Sequence, residues 1–259
     1  MEQKTFDESV QEEAAKARNF FSRLGDVYFS PREAFTEIGR APRLLIPIIA
    51  LFLLSVFGGW YVAQKIDTRA ATRATLEQAV KQGRITEEQM NQQMAMAAAA
   101  VGPVLAVAGG FSALALCLII AGYGKVFSII TGRENSYKNL LVVSVYAMLA
   151  VSVVSTVLMI IILQIKGQTR IEAADINTVI ASSLGAWIES AFGADVIPGF
   201  IMRLAAAADI FNIWIITLLS IGFSAVSKKM KASAAATWLG GAYVIISIIT
   251  AAIRSAFGA

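Results

Sequence analysis

Apolar residues fall in long blocks separated by polar segments, and this pattern predicts helices that cross a membrane. The first block, LLIPIIALFLLSVFGGWYVA, covers residues 44–63. At 1.5 Å per residue it reaches about 30 Å, the thickness of a hydrocarbon core. Trp60 and Tyr61 lie at its end, where amphipathic rings prefer the membrane interface. In all, five spans are predicted, at 44–63, 97–124, 140–165, 209–226 and 236–253.

The predicted fold class is an all-α membrane protein, a bundle of about five transmembrane helices with helical extramembrane arms. We expect residues 1–43 to form an N-terminal helical arm. Residues 44–259 are expected to form the transmembrane domain.

Helix-capping patterns predict further helices outside the spans. Ser30-Pro31-Arg32-Glu33 has the form of a helix start with a capping box, and Thr86-Glu87-Glu88-Gln89 has the same form. Gly83 suits the end of a helix that begins after the first span. An apolar stripe before Ser30 could rest on the membrane or the bundle, or dock a partner. Its members are Phe20, Phe21, Leu24, Val27 and Tyr28.

One segment, 176–192, has its apolar residues on one helical face and polar residues on the other. This pattern favours a helix that lies on the membrane or re-enters it, over a sixth span. Gly193 and Pro198 are predicted to end it.

Composition narrows the possible chemistry. Hydrophobic residues make up 57% and charged residues 15% of the chain, against about 25% charged in soluble domains. The chain has no His and one Cys, Cys117, which leaves few ligands for zinc, copper or iron and excludes a Ser-His-Asp device. No phosphate-binding loop and no basic cluster interleaved with aromatics is present. We therefore expect no enzyme activity, no cofactor and no nucleic-acid partner.

The distribution of Lys and Arg predicts the orientation. Segments 1–43, 125–139 and 227–235 hold more basic residues, in less chain, than the loops on the opposite side. With five spans, this places the N-terminus in the cytoplasm and the C-terminus outside. A sixth span at 176–192 would move the C-terminus inside.

Four residues are candidates for function, each with a structural alternative. Gly110 belongs to small-residue pairs of the second span, which favour bundle packing but could serve a homodimer or a gating helix. Asp209 opens the fourth span, either as a helix cap or as an ion or substrate ligand, and Trp214 follows in the same block. Lys125 lies at a span end, where topology or anionic lipid explains it.

The chain resembles the Yip-domain family of five-span proteins, named for interaction with Ypt/Rab GTPases, and in particular its bacterial branch. Three stretches carry the resemblance: 30–47 before and into the first span, 132–147 after the second, and 209–223 in the fourth. The third span departs from the family pattern at Met148, where a proline is expected. The resemblance implies five spans and a cytoplasmic N-terminus, with the chain in the bacterial cytoplasmic membrane. It implies no reaction, and a GTPase-binding role is not transferred.

We therefore expect a non-enzymatic adaptor or scaffold in contact with the lipid bilayer. It would bind membrane or peripheral proteins, with homo-oligomers possible. The alternative is a small transporter, channel or lipid-moving protein that uses the Gly-rich second span and Asp209.

Overall fold

A computed structural model describes residues 19–67, 69–133, 135–165, 171–172, 181–193, 197–227 and 230–256. The described residues form ten helices and one pair of two-residue strands. Before the first span lie α1 (Phe20–Phe29) and α2 (Pro31–Arg40). The remaining elements are α3 (Leu45–Ala63), β1 (Ile66–Asp67), α4 (Arg69–Lys81), α5 (Glu87–Ile130), α6 (Tyr137–Ile165), β2 (Ile171–Glu172), α7 (Leu184–Phe192), α8 (Gly199–Ala207), α9 (Ile210–Ala225) and α10 (Ala232–Ala256).

Four helices of the described chain are long and apolar enough to cross a membrane. They are α3, the Gly102–Ile130 part of α5, α6, and the Ala232–Ser255 part of α10. The all-α membrane fold is thereby confirmed. The helix at the fourth predicted span, α9, is shorter at 16 residues, or about 24 Å.

The segment between the first and second spans follows its predicted layout. Gly83 has a φ of +68°, a left-handed conformation that suits glycine, and it ends α4. The capping box that starts α5 is confirmed, because Thr86 N donates to Gln89 Oε1 at 2.9 Å and Gln89 N donates to Thr86 Oγ1 at 3.2 Å. From there α5 continues unbroken for 44 residues, through Pro103.

Contacts divide the chain into two units. Unit 1 comprises Met1–Ala50, Leu114–Val151 and Ile213–Ile246. Its core surrounds α6, where every residue from 142 to 151 is buried. Glycines bring the neighbouring helices close: an added Cβ on Gly124 would lie 2.6 Å from the Phe223 ring, and one on Gly222 would overlap Val143.

Unit 2 comprises Leu51–Ala113, Ser152–Asn212 and Ser247–Ala259. In it α3 packs on α5, where a Cβ on Gly59 would lie 3.1 Å from Ala106 Cα. β1 and β2 pair in parallel, with Ile66 opposite Ile171. At the start of α7, Gly185 lies against the backbone of Ala206 at the end of α8.

One contact within unit 1 bears on the predicted fourth span. A Cβ on Gly39 would lie 2.7 Å from Val226 Cγ1, so the end of α2 meets the end of α9. Two segments can meet on one side of a membrane only if an even number of crossings separates them. Between Gly39 and Val226 lie three helices long and apolar enough to cross, α3, α5 and α6. A crossing by α9, whose short length a locally thinned bilayer could accommodate, would make the number even, and it stays a prediction.

The predicted capping box at Ser30 is wrong. The helix does begin at Pro31, but the Ser30 side chain makes no capping hydrogen bond. Ser30 is also the residue that ends α1, and its backbone N–H donates to Asp26 O at 2.8 Å. The N–H that the Glu33 side chain would have accepted is therefore already engaged.

The predicted helix over 176–192 is present in part: α7 covers Leu184–Phe192 and ends at Gly193 as predicted, but residues 181–183 are not helical. Residues 173–180 lie outside the described residues, and α7 begins only at Leu184. Ser182 and Ser183 instead run beside Asp209: Ile210 N donates to Ser182 O at 3.1 Å and Leu184 N donates to Ala208 O at 2.9 Å. This pairing uses backbone groups that a longer helix would need, and the nine residues of α7 are too few to span.

The crossing of α9 can be tested by cysteine labelling in a Cys117→Ser background. We expect Ser190→Cys and Lys231→Cys to react with a membrane-impermeant maleimide from opposite sides of sealed vesicles. Arg40→Cys should react from the same side as Lys231→Cys. Labelling of Ser190→Cys and Lys231→Cys from one side would remove the fourth crossing.

The close approach of α9 to α6 predicts the effect of a single methyl group. Gly222→Ala places a Cβ into Val143 and against the Phe35 ring, so we expect a loss of about 1–3 kcal/mol from overpacking. Gly240→Ala is the matched control, since a Cβ there meets nothing within 4 Å. Thermal unfolding in one detergent should show a lower midpoint for Gly222→Ala alone, and equal midpoints would contradict the packing.

Candidate functional site

A buried cation, Arg23, joins the two helices of the α1–α2 hairpin, which is part of unit 1. Arg23 of α1 has a side chain only 4% exposed, and its Nε lies 3.4 Å from Oε1 of Glu37 on α2, which is 22% exposed. Arg23 Nη1 also donates to Ala41 O at 3.3 Å. The charge of Arg23 also acts on the Tyr146 hydroxyl of α6. A buried guanidinium is tolerable here because the Glu37 carboxylate balances its charge and the Ala41 carbonyl accepts one of its donors.

Tyr28 provides a second attachment of the same hairpin. Its hydroxyl donates to Ala150 O of α6 at 2.7 Å, and its ring centroid lies 6.0 Å from that of Trp214 on α9. Burial raises the pKa of the Tyr28 hydroxyl above its ordinary value. The hydroxyl therefore stays protonated, and able to donate, throughout the physiological pH range.

The far side of the hairpin borders an open groove, which we call the hairpin groove. Its volume is about 620 Å³, within the range of small-molecule sites. It is lined by Phe29, Ser30, Pro31, Arg32, Glu33, Ile221, Ser224, Met230, Lys231 and Ala232. Arg32 and Lys231 supply two positive charges and Glu33 one negative charge. Apolar side chains, among them Phe29, Ile221 and Met230, line the same groove.

Three of the four residues predicted from the sequence as candidates have structural partners inside one unit. Gly110 is buried against α3, where an added Cβ would lie 2.8 Å from Phe52 and from Val56. Trp214 packs on Tyr28 as described. Lys125 Nζ donates to Asn135 O at 2.6 Å, which fastens the end of α5 to the loop before α6.

The fourth candidate, Asp209, caps α9. Its Oδ1 accepts from Phe211 N at 2.8 Å and Asn212 N at 3.2 Å, and its Oδ2 accepts from the Ser182 hydroxyl. The carboxylate is thus placed at the positive end of a helix dipole with hydrogen bonds to both oxygens.

The described residues contain no group of three or more His, Cys, Asp or Glu side chains that could hold a metal ion. The architecture is that of a multi-pass helical membrane protein whose N-terminal hairpin packs on its spans. The family model of the Yip1 domain matches residues 25–253, and the chain belongs to this family. Comparisons with curated proteins and with solved structures gave no match.

The sequence did not indicate the hairpin groove. Arg32 was visible as part of a helix start and Lys231 as part of a basic run, but some two hundred residues of chain separate them. Only the return of α9 to the hairpin brings the two cations to one groove. The sequence offers one indication of the groove: an even number of predicted spans separates Arg32 from Lys231. This predicts that both segments lie on the same side of the membrane.

The role of Arg23 predicts a selective loss of stability. Arg23→Gln leaves Glu37 without its cation, and we expect the free energy of unfolding to fall by about 2–3 kcal/mol. This is less than for a fully buried ion pair, because Glu37 retains some contact with water. The hairpin should also become more sensitive to trypsin, at Arg32 and Arg40. Thermal unfolding and timed proteolysis in one detergent measure both effects.

The control is Arg73→Gln, which removes an exposed ion pair with Glu77 one turn along α4. Arg73→Gln should lower the free energy of unfolding by less than about 0.5 kcal/mol. Equal effects of Arg23→Gln and Arg73→Gln would show that the buried pair does not hold the hairpin.

Proposed function

We propose that the chain is a non-enzymatic membrane adaptor that binds another membrane or peripheral protein through the outer face of the α1–α2 hairpin. One observation carries the proposal: Phe21 is 77% exposed on a helix whose inner face is fixed by Arg23, Val27 and Tyr28. A large apolar side chain exposed on an element that is held in place outside the spans is available as an anchor for a partner protein.

The surroundings of Phe21 support a protein partner. Gly25 lies one turn further along α1, and a Cβ there would meet nothing within 4 Å. The two positions therefore form an open strip that another helix or loop can approach. The fixed hairpin would lower the entropy lost on binding, because the contact surface is ordered in advance.

The residues on which a transport function would depend already have structural partners. Asp209 caps α9 and bonds Ser182, and Gly110 packs on Phe52 and Val56. This favours the adaptor over a transporter, channel or lipid-moving protein. In the proposed arrangement the hairpin faces the cytoplasm of a bacterial cell, on the side with more basic residues.

The adaptor proposal is tested with a hairpin-face variant, Phe21→Ser combined with Gly25→Arg. Both positions are open, so the fold should survive while the strip loses its apolar side chain and gains a long cation. Gentle-detergent co-purification with quantitative mass spectrometry should show a stoichiometric partner that the variant loses at least tenfold.

The control is Phe192→Ser, which removes a comparably exposed aromatic from α7 in unit 2. It should retain the partner. A wild-type particle without any stoichiometric partner would reject the adaptor. Liposome flux that Asp209→Asn abolishes would favour transport instead.

A further inference from the structure

We propose that the hairpin groove binds the phosphate headgroup of an anionic lipid, with its apolar lining residues against the start of the acyl chains. This inference concerns a different surface from the Phe21 strip and does not depend on a protein partner. It rests on the charge and the position of the groove and on its mixed charged and apolar lining.

The cationic residues that line the groove are complementary in charge to a phosphate. Arg32 and Lys231 both line the groove, both are exposed, and neither forms an ion pair within the described residues. Guanidinium donors match phosphate oxygens in geometry, and an ammonium adds a compact charge. Glu33 opposes them with one carboxylate, so the pair of cations leaves a positive excess.

Ser30 adds a hydroxyl to the lining of the groove. Its side chain lacks the capping hydrogen bond that this position usually makes, so its donor is not committed to α2. Ser224, by contrast, donates to Met230 O at 2.8 Å. A phosphate in the groove could therefore accept from Ser30, while the Ser224 hydroxyl is already engaged as a donor.

The position of the groove selects a lipid over a soluble phosphate. Ile221 and Ser224 belong to the last turns of α9, and Ala232 is the first residue of α10. Ala232 also begins a segment that is long and apolar enough to cross a membrane, and such a crossing would place the groove at headgroup depth. Basic residues at this depth attract anionic lipids.

A free anion would make no use of the apolar residues that line the groove. Phe29 borders the groove and is 88% exposed, a large apolar surface at the end of the first helix, α1. Ile221 and Met230 are further apolar residues of the lining. An acyl chain leaving a headgroup at Arg32 and Lys231 would cover Phe29, which an inorganic phosphate could not.

The test uses full-length protein in nanodiscs of phosphatidylcholine with a minor fraction of phosphatidic acid, followed by native mass spectrometry after release into a neutral detergent. We expect wild type to retain phosphatidic acid. Arg32→Gln combined with Lys231→Gln should reduce the retained lipid roughly tenfold or more, since each cation near a membrane surface contributes roughly fivefold.

Two controls separate the groove from general charge. Arg40→Gln combined with Lys138→Gln removes the same net charge from exposed positions in unit 1 outside the groove, and it should retain the lipid. Ala232→Leu narrows the groove without changing charge, and it should reduce retention. Equal loss in both charge variants would overturn the proposal, because it would show a diffuse surface effect.

Competition distinguishes the two sources of phosphate. Millimolar inorganic phosphate should leave the retained phosphatidic acid unchanged. If inorganic phosphate displaces the lipid fully, or protects wild type from thermal unfolding as strongly as the lipid does, the groove is an anion site and the lipid assignment is wrong.

Discussion

The part of α6 from residue 142 to 151 is buried on every side, and the rest of unit 1 depends on how it is covered. Lipid could cover an apolar helix equally well, so the hydrophobic effect alone does not bring other helices to it. Association in lipid relies on close packing and on hydrogen bonds between elements. Unit 1 uses both: Gly222 of α9 lets that helix approach Val143, and the Tyr28 hydroxyl of α1 donates to Ala150 O.

Polar groups along the spans follow the same constraint, because lipid offers them no partner. The hydroxyls of Ser128, Ser144, Thr217, Ser220 and Thr237 donate to carbonyls one turn earlier in their own helices. Such bonds satisfy a hydroxyl without requiring a neighbour. Asn135 extends one of them, since its Nδ2 donates to Ser128 Oγ at 3.0 Å. Each of these groups therefore has a structural partner, and its presence in a span requires no ligand.

Local signals in the sequence predicted most of the secondary structure, while contacts between distant segments could not be predicted. The apolar blocks gave the long spans, and Gly83 and Thr86 gave the break before α5, because each depends on neighbours within a turn or two. The predicted capping box at Ser30 does not form because the Ser30 N–H donates to the Asp26 carbonyl instead. The predicted helix over 176–192 begins only at Leu184 because the backbone around Ser182 pairs with that around Asp209. Arg23 likewise looked like one basic residue among several in 1–43. Its burial depends on Glu37, Ala41 and Tyr146, which the chain brings together only on folding.

The residues that stand out in a membrane sequence are those whose chemistry is rare there, and rarity has more than one cause. Asp209 is rare as an acid at a span end, but the free N–H groups of α9 and the Ser182 hydroxyl account for it. Gly110 is unusual as a small residue, but the Phe52 ring accounts for it. Arg32 in the first turn of α2 and Lys231 just before α10 are ordinary residues for their positions, and neither forms an ion pair within the described residues. A polar group whose donors are all engaged has little free energy left for a ligand, whereas an unengaged cation beside an exposed Phe29 has both charge and apolar surface to offer. In this fold, a charged group without an internal partner therefore indicates a binding site better than a residue type that is rare in membrane spans.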